Sequence, residues 1–205
     1  MPKPDLILVD KLIVEANALE CEVYITVNKS DEDDGICGYI TENYRKAVDG
    51  IFIVSAKSGR GLKELKAAVS GKLTVFAGQS AVGKTSVINE LFGVDERVNS
   101  VSERTGRGRH TTTRRKIIVD GDIYAVDTPG FSTVIVTSVA SSSLHNYYKD
   151  FSPYNGKCYY IGCTHSSEPD CLVKDALARG ELSKDRYERY LLILKEIKEY
   201  EKRRY

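Results

Sequence analysis

The chain has 205 residues, 41% of them hydrophobic and 29% charged, with a formal net charge of +1. Those proportions belong to a globular protein with enough apolar material for a core, and so small a net charge requires any nucleic-acid surface to come from local clustering. They exclude a membrane-spanning helix, since no apolar run approaches ~18 residues, and the N-terminus has no signal-peptide core, so the expectation is a cytoplasmic monomer with no membrane partner.

After Pro2 and Pro4, Asp5 stands where a helix cap belongs, and Leu6, Val9, Leu12, Ile13 and Ala16 recur at helical spacing. Residues 22–27 alternate and are β-branched, a strand pattern. A helix is expected over 39–48, a buried strand over 51–54, a turn at 58–61 and a short amphipathic helix over 62–69. A strand begins at Leu73 and a helix covers 87–92. Residues 116–119 and 123–126 flank a turn at Asp120-Gly121 and read as a hairpin. Residues 131–143 read as a loop, 144–151 as a helix, and Ser183 caps a last helix running from Lys184 toward Tyr205. Alternating strands and helices imply a parallel sheet with helices on both faces and ligands at the carboxyl ends of the strands.

Three of those strand ends are polar. Gly78-Gln79-Ser80-Ala81-Val82-Gly83-Lys84-Thr85, followed by Ser86, links a strand to a helix in the pattern of a phosphate-binding loop. Its glycines let successive backbone N–H groups turn toward one anion at a helix N-terminus. Lys84 would reach the β- and γ-phosphates and Thr85 would ligate Mg²⁺. Asn28-Lys29-Ser30-Asp31 ends the first strand. The Asp31 carboxylate can accept from the ring N–H and exocyclic amine of guanine, and adenine would leave that charge unpaired. Asn28 can donate to the base, the Lys29 stem can lie along its face, and Ser55-Ala56 can present the Ala56 N–H to guanine O6. Asp127-Thr128-Pro129-Gly130 ends a further strand, the place for the carboxylate that holds Mg²⁺. The ligands expected are GTP or GDP with Mg²⁺ at Thr85 and Asp127.

Three of the five cysteines crowd together, and in a reducing compartment such crowding indicates a metal rather than bridges. Cys158, Cys163, His165 and Cys171 supply three thiolates and an imidazole, enough to close one tetrahedral, structural Zn²⁺ site. Cys21 and Cys37 lie elsewhere and read as ordinary thiols.

The base-reading sequences at 28–31 and 55–57 precede the phosphate loop and Asp127–Gly130, the reverse of a Ras-like order. With that permutation, Gly108-Arg109-His110-Thr111-Thr112-Thr113 and the cysteine cluster, the chain resembles the RsgA (YjeQ) family of small-ribosomal-subunit biogenesis GTPases over nearly its whole length. The resemblance implies a circularly permuted α/β P-loop GTPase domain over 1–140 and a small, helical zinc-binding subdomain over 141–205. It implies a GTPase acting as a late assembly checkpoint, stimulated by the small ribosomal subunit and in contact with its rRNA. It also implies an N-terminal oligonucleotide-binding barrel and one further GTPase strand, neither of which is found ahead of Asp5, so the sheet is expected to be one strand short.

Residues 108–113 would form the first switch, with one of Thr111, Thr112 and Thr113 sensing the γ-phosphate and Mg²⁺, Thr112 being favoured. Phe131 stands where Ras-like proteins place the glutamine that orients water. His110 is the nearest replacement, able to position water near neutral pH, and with Lys84 and Thr112 completes the catalytic set. The basic stretch 104–116 reads either as a solvated switch loop or as an rRNA contact, the family favouring the latter. The alternatives are a permuted GTPase with another RNA or ribosomal target, and a zinc-stabilised RNA-binding module holding nucleotide only as a structural ligand.

Overall fold

The structure is a computed structural model that describes residues 4–32, 35–93, 116–128 and 130–204. The expected His110 and Thr112, the other residues of 94–115, and Pro129 lie outside the described residues. The elements run α1 (Leu6–Ala18), β1 (Tyr24–Val27), α2 (Ile36–Tyr44), β2 (Gly50–Ile53), α3 (Leu62–Val69), β3 (Leu73–Phe76), α4 (Lys84–Phe92), β4 (Lys116–Asp120), β5 (Ile123–Asp127), α5 (Leu172–Ala178) and α6 (Lys184–Arg203). The described residues divide into two compact units, one within Thr26–Asp33 and Phe52–Ser132, the other within Pro4–Ile25, Asp34–Ile51 and Thr133–Tyr205.

In the first unit β3 pairs with β5 in parallel, Leu73 opposite Tyr124 and Phe76 opposite Asp127. β5 then pairs with β4 as the expected antiparallel hairpin, Asp120 opposite Ile123. Strand alternation sorts the side chains: Ile118, Ile123 and Ala125 turn to one face, where Leu65 and Val69 of α3 and Val87, Leu91 and Phe92 of α4 close a core over them. Leu73, Val75, Ile117, Val119 and Tyr124 stand exposed. β1 pairs with β2 in a separate two-stranded sheet, and among the described strands β3 pairs with β5 alone. Val54 N donates to Val27 O at 2.8 Å and Ser30 N to Val54 O at 3.0 Å, so the two base-reading segments leave their strands side by side.

In the second unit α1 and α6 pack together around Val14, Tyr190, Ile193, Leu194 and Ile197, with Leu144, Tyr148 and Phe151 completing the core. Asp5 caps α1, accepting from Leu8 N at 3.0 Å, and Ser183 caps α6, accepting from Arg186 N at 3.3 Å. Two local expectations need correction, and one helix is new. α2 spans Ile36–Tyr44 rather than 39–48, because the chain turns after the buried Tyr44 to enter β2. Residues 144–151 form two 3₁₀ turns, Leu144–Tyr147 and Lys149–Phe151, broken at an extended Tyr148. The buried set Leu144, Tyr148 and Phe151 mimics a helical stripe, but the break turns Asp150 inward to meet Arg186 at 3.1 Å. α5 is a helix the periodicity does not reveal, since its seven residues are too few to set a period.

Candidate functional site

The phosphate loop and both base-reading segments belong to the first unit, and one side chain ties them. Asn28 Nδ2 donates to Val82 O at 3.2 Å, and Asn28 Oδ1 accepts from Ala56 N at 3.1 Å. The Ala56 N–H, expected to face guanine O6, is thus engaged by Asn28 here. Ser55 is fully buried and donates through Oγ to Asp31 Oδ1 at 2.6 Å, which with a backbone hydrogen bond holds the Asp31 carboxyl below its ordinary value. Asp31 is thus fixed at one oxygen by Ser55. Gly83 explains how Asn28 comes so close: it takes φ +88°, and a Cβ there would lie 2.5 Å from Asn28 Nδ2.

At the other end of the loop Lys84 opens α4 and folds back, its Nζ 3.2 Å from both Gly78 O and Gln79 O. Burial lowers its pKa below the ordinary lysine value, and the Asp127 carboxylate pulls the other way. Thr85 Oγ1 donates to Asp127 Oδ2 at 3.1 Å, joining the start of α4 to the end of β5. Asp127 Oδ1 is buried with no hydrogen-bond partner among the described residues. A buried carboxylate oxygen left unpaired beside a hydroxyl suits a hard cation with oxygen ligands, so Thr85 and Asp127 fit Mg²⁺. Gly130 lies against the loop, where a Cβ would meet Ser80 Cα at 2.7 Å, and Phe131 N donates to Gly78 O at 3.1 Å. The structure thus brings together Asn28, Asp31, Ser55, Ala56, residues 78–85, Asp127 and Gly130.

In the second unit the ligand atoms of Cys158, Cys163, His165 and Cys171 all lie within 4.8 Å of one another. His165 Nδ1 stands 3.5, 3.4 and 3.3 Å from the Sγ atoms of Cys158, Cys163 and Cys171. A tetrahedral ion with Zn–S of about 2.3 Å and Zn–N of about 2.0 Å sets N···S edges of about 3.5 Å. Asn155 Nδ2 donates to His145 O at 3.2 Å, leaving Asn155 Oδ1 to accept from His165 Nε2 at 2.9 Å, so the Nδ1 lone pair faces the three sulfurs. Burial pulls His165 down to about 4, keeping the imidazole neutral, and pushes the Cys163 thiol up to about 12. A cation among the sulfurs is what would hold them as thiolates. The residues fit zinc.

Sequence reasoning missed the residues that hold this loop. Glu168 accepts from Thr164 N at 2.9 Å, Thr164 Oγ1 at 2.7 Å and Ser166 N at 2.8 Å, and against the cost of burial these bonds hold it down at about 2. Tyr187 OH donates to His165 O at 2.8 Å and Tyr190 OH to Thr164 O, anchoring the loop on α6.

The sequence pattern of the RsgA GTPase family matches residues 1–137. The chain belongs to that family. A small ribosomal subunit biogenesis GTPase RsgA from Ruminiclostridium cellulolyticum is 37% identical over 201 residues, 97% of this chain and 66% of that protein. Its counterpart from Moorella thermoacetica is 38% identical over 199 residues, 96% of this chain and 68% of that protein. The crystal structure of YjeQ from Thermotoga maritima superposes with a TM-score of 0.77 at 32% identity, covering 96% of this chain and 67% of that one. That of YloQ, a circularly permuted GTPase, gives 0.77 at 29% identity, covering 98% and 65%. The fold is the permuted α/β GTPase fold, and the chain spans about two thirds of the length of these relatives. Among the described residues no helix is long and apolar enough to cross a membrane.

Proposed function

We propose that this chain binds guanine nucleotide with Mg²⁺ and hydrolyses GTP as an assembly checkpoint factor of the small ribosomal subunit. The observation that carries this reading is Asn28, which joins a base-reading end to a phosphate-binding end within one compact unit. The Asp31 carboxylate, oriented by Ser55, selects guanine by accepting from its two adjacent N–H donors. The loop N–H groups and Lys84 bind the phosphates, and Thr85 and Asp127 hold Mg²⁺. Mg²⁺, when bound, offsets the charge that develops on the phosphate oxygens.

Phe131 carries no group that could orient water, so intrinsic hydrolysis is slow and a partner raises it. His110 and Thr112 remain the candidates for positioning water and sensing the γ-phosphate. The names of the relatives support the small subunit as that partner. The cysteine cluster holds one structural zinc, and rRNA contact falls to the basic stretch 104–116.

Single-turnover GTP hydrolysis, measured alone and with added small or large ribosomal subunits, tests the proposal. Acceleration by small subunits only is expected. Equal acceleration by large subunits would redirect the target, and no hydrolysis under any condition would leave nucleotide a structural ligand. His110→Ala is expected to blunt the stimulated rate, and an unchanged rate would remove His110 from the mechanism.

A further inference from the structure

The base-reading segments leave two strands that burial does little to hold. β1 and β2 have four residues each, every one of them half-buried, and they pair in a sheet of their own. Strands that bury neither face have little to fix their register, and two strands alone are marginal. Register matters at this point, because it decides whether Asn28 and Asp31 arrive beside Ala56 and Ser55. The first residues of both strands fall in the second unit and the last in the first.

The starts of these strands are pinned by one side chain. Val23 stands immediately before β1 and Asp49 immediately before β2. Val23 N donates to Asp49 Oδ2 at 2.7 Å, and Asp49 N donates back to Val23 O at 2.8 Å. Lys149 Nζ donates to the same Asp49 oxygen at 2.5 Å. Against the cost of burial, Lys149 and the Val23 N–H hold the Asp49 carboxyl below its ordinary value. Lys149 opens a 3₁₀ turn whose next residue, Asp150, is buried against Arg186 of α6 at 3.1 Å. The family pattern ends at residue 137, so this brace comes from outside it.

We propose that Asp49 and Lys149 are positioning residues for guanine recognition, setting the register of β1 on β2 from the ends away from the base. At a rise of about 3.3 Å per residue, about 20 Å of strand separates Asp49 from Ser55, so the effect passes through the ladder rather than through contact with nucleotide. A base site that is in register only part of the time loses affinity by that fraction. This role rests on the guanine reading above, and it makes that reading dependent on a residue beyond 137.

Calorimetric titration of GTP, ITP and magnesium tripolyphosphate into the zinc-loaded full chain tests it. ITP lacks the exocyclic amine that Asp31 would accept from, and tripolyphosphate has no base, so the three ligands separate base reading from phosphate binding. The parent chain is expected to prefer GTP over ITP. Asp49→Ala, which loses the ion pair and the Val23 bond, should lower GTP affinity about 10-fold, reduce the preference over ITP and leave tripolyphosphate unchanged. Asp49→Asn, which still accepts from Val23 N, and Lys149→Met should each cost about 3-fold in GTP affinity, the scale of a half-exposed ion pair. Lys149→Arg should restore it, and the Lys149 pair serves alone if Asp49→Ala does not fold. A full GTP-over-ITP preference in both Asp49→Ala and Lys149→Met would overturn the role while leaving the guanine reading intact. Equal losses for all three ligands would do the same, since they indicate general destabilisation. A parent chain that binds GTP no better than ITP would remove the guanine reading itself, and this role with it.

Discussion

Arg186 on α6 donates through Nη1 to Asp10 on α1 at 2.5 Å, with side-chain exposures of 1% and 0%. The same guanidinium reaches Asp150 at 3.1 Å, and Arg189 meets the second Asp10 oxygen at 2.5 Å. The Arg186 guanidinium carbon sits 4.6 Å from the Tyr44 ring centroid and 5.2 Å from that of Tyr148. Burial works against the Arg186 charge, but Asp150 and Asp10 outweigh it and hold the guanidinium above the ordinary arginine value. Removing one member strands the others. Arg186→Leu is expected to cost about 3–5 kcal/mol, because Asp150 loses its buried cation and Asp10 keeps only Arg189. Urea denaturation of the zinc-loaded protein measures it, and a loss below about 1 kcal/mol would show that water reaches the network.

Gly83 and Asn28 are coupled by contact, since a Cβ at Gly83 would press on the Asn28 amide. Gly83→Ala is expected to lower GTP affinity about 10-fold or more, through the displaced amide and the strained φ of +88°. In an Asn28→Ala background the steric part vanishes, so the same substitution should cost less. A double-mutant cycle on GTP affinity with zero coupling would count against the contact.

Thr85 and Asp127 make a prediction about metal. With Asp127 Oδ1 buried and unpaired, Asp127→Asn should remove most of the Mg²⁺ dependence of GTP binding while GDP binding without Mg²⁺ persists. Titration calorimetry at two Mg²⁺ concentrations reads this directly. Mg²⁺ enhancement retained in both Asp127→Asn and Thr85→Val would move the metal elsewhere.

The first unit was largely legible in sequence for a physical reason. A phosphate loop needs glycines at fixed spacing, and Asn28, Asp31, Thr85 and Asp127 sit at strand and helix ends that alternation locates. The chemistry of the cysteine cluster was legible from residue type and spacing alone. The charge network of the second unit was not. Asp10 interrupts an apolar helix, and its partners Arg186 and Arg189 lie 176 and 179 residues away on a helix otherwise rich in exposed charge. At 144–151 the break at Tyr148 turns Asp150 inward to the buried Arg186, an ion pair the local apolar pattern does not reveal.

Asn155 fixes the His165 tautomer, its Oδ1 accepting from Nε2 at 2.9 Å. Asn155→Ala is expected to weaken zinc binding about 10- to 100-fold without removing a ligand. Competition with a chromogenic chelator checks it, and an unchanged zinc affinity would mean that the Tyr187 and Tyr190 anchors suffice to orient the ring.

Asp10 and Arg186 also set a schedule. Translation delivers Asp10 176 residues before the arginine that neutralises it, an interval of about 10–35 s at about 5–20 residues per second. Throughout that interval the nascent chain carries a carboxylate on the apolar side of α1 with no counter-ion to bury it. The second unit, assembled from three separated stretches of sequence, therefore closes only once α6 has left the exit tunnel. Ribosomes stalled upstream of Ser183 should hold α1 in a protease-sensitive state, and release should protect it.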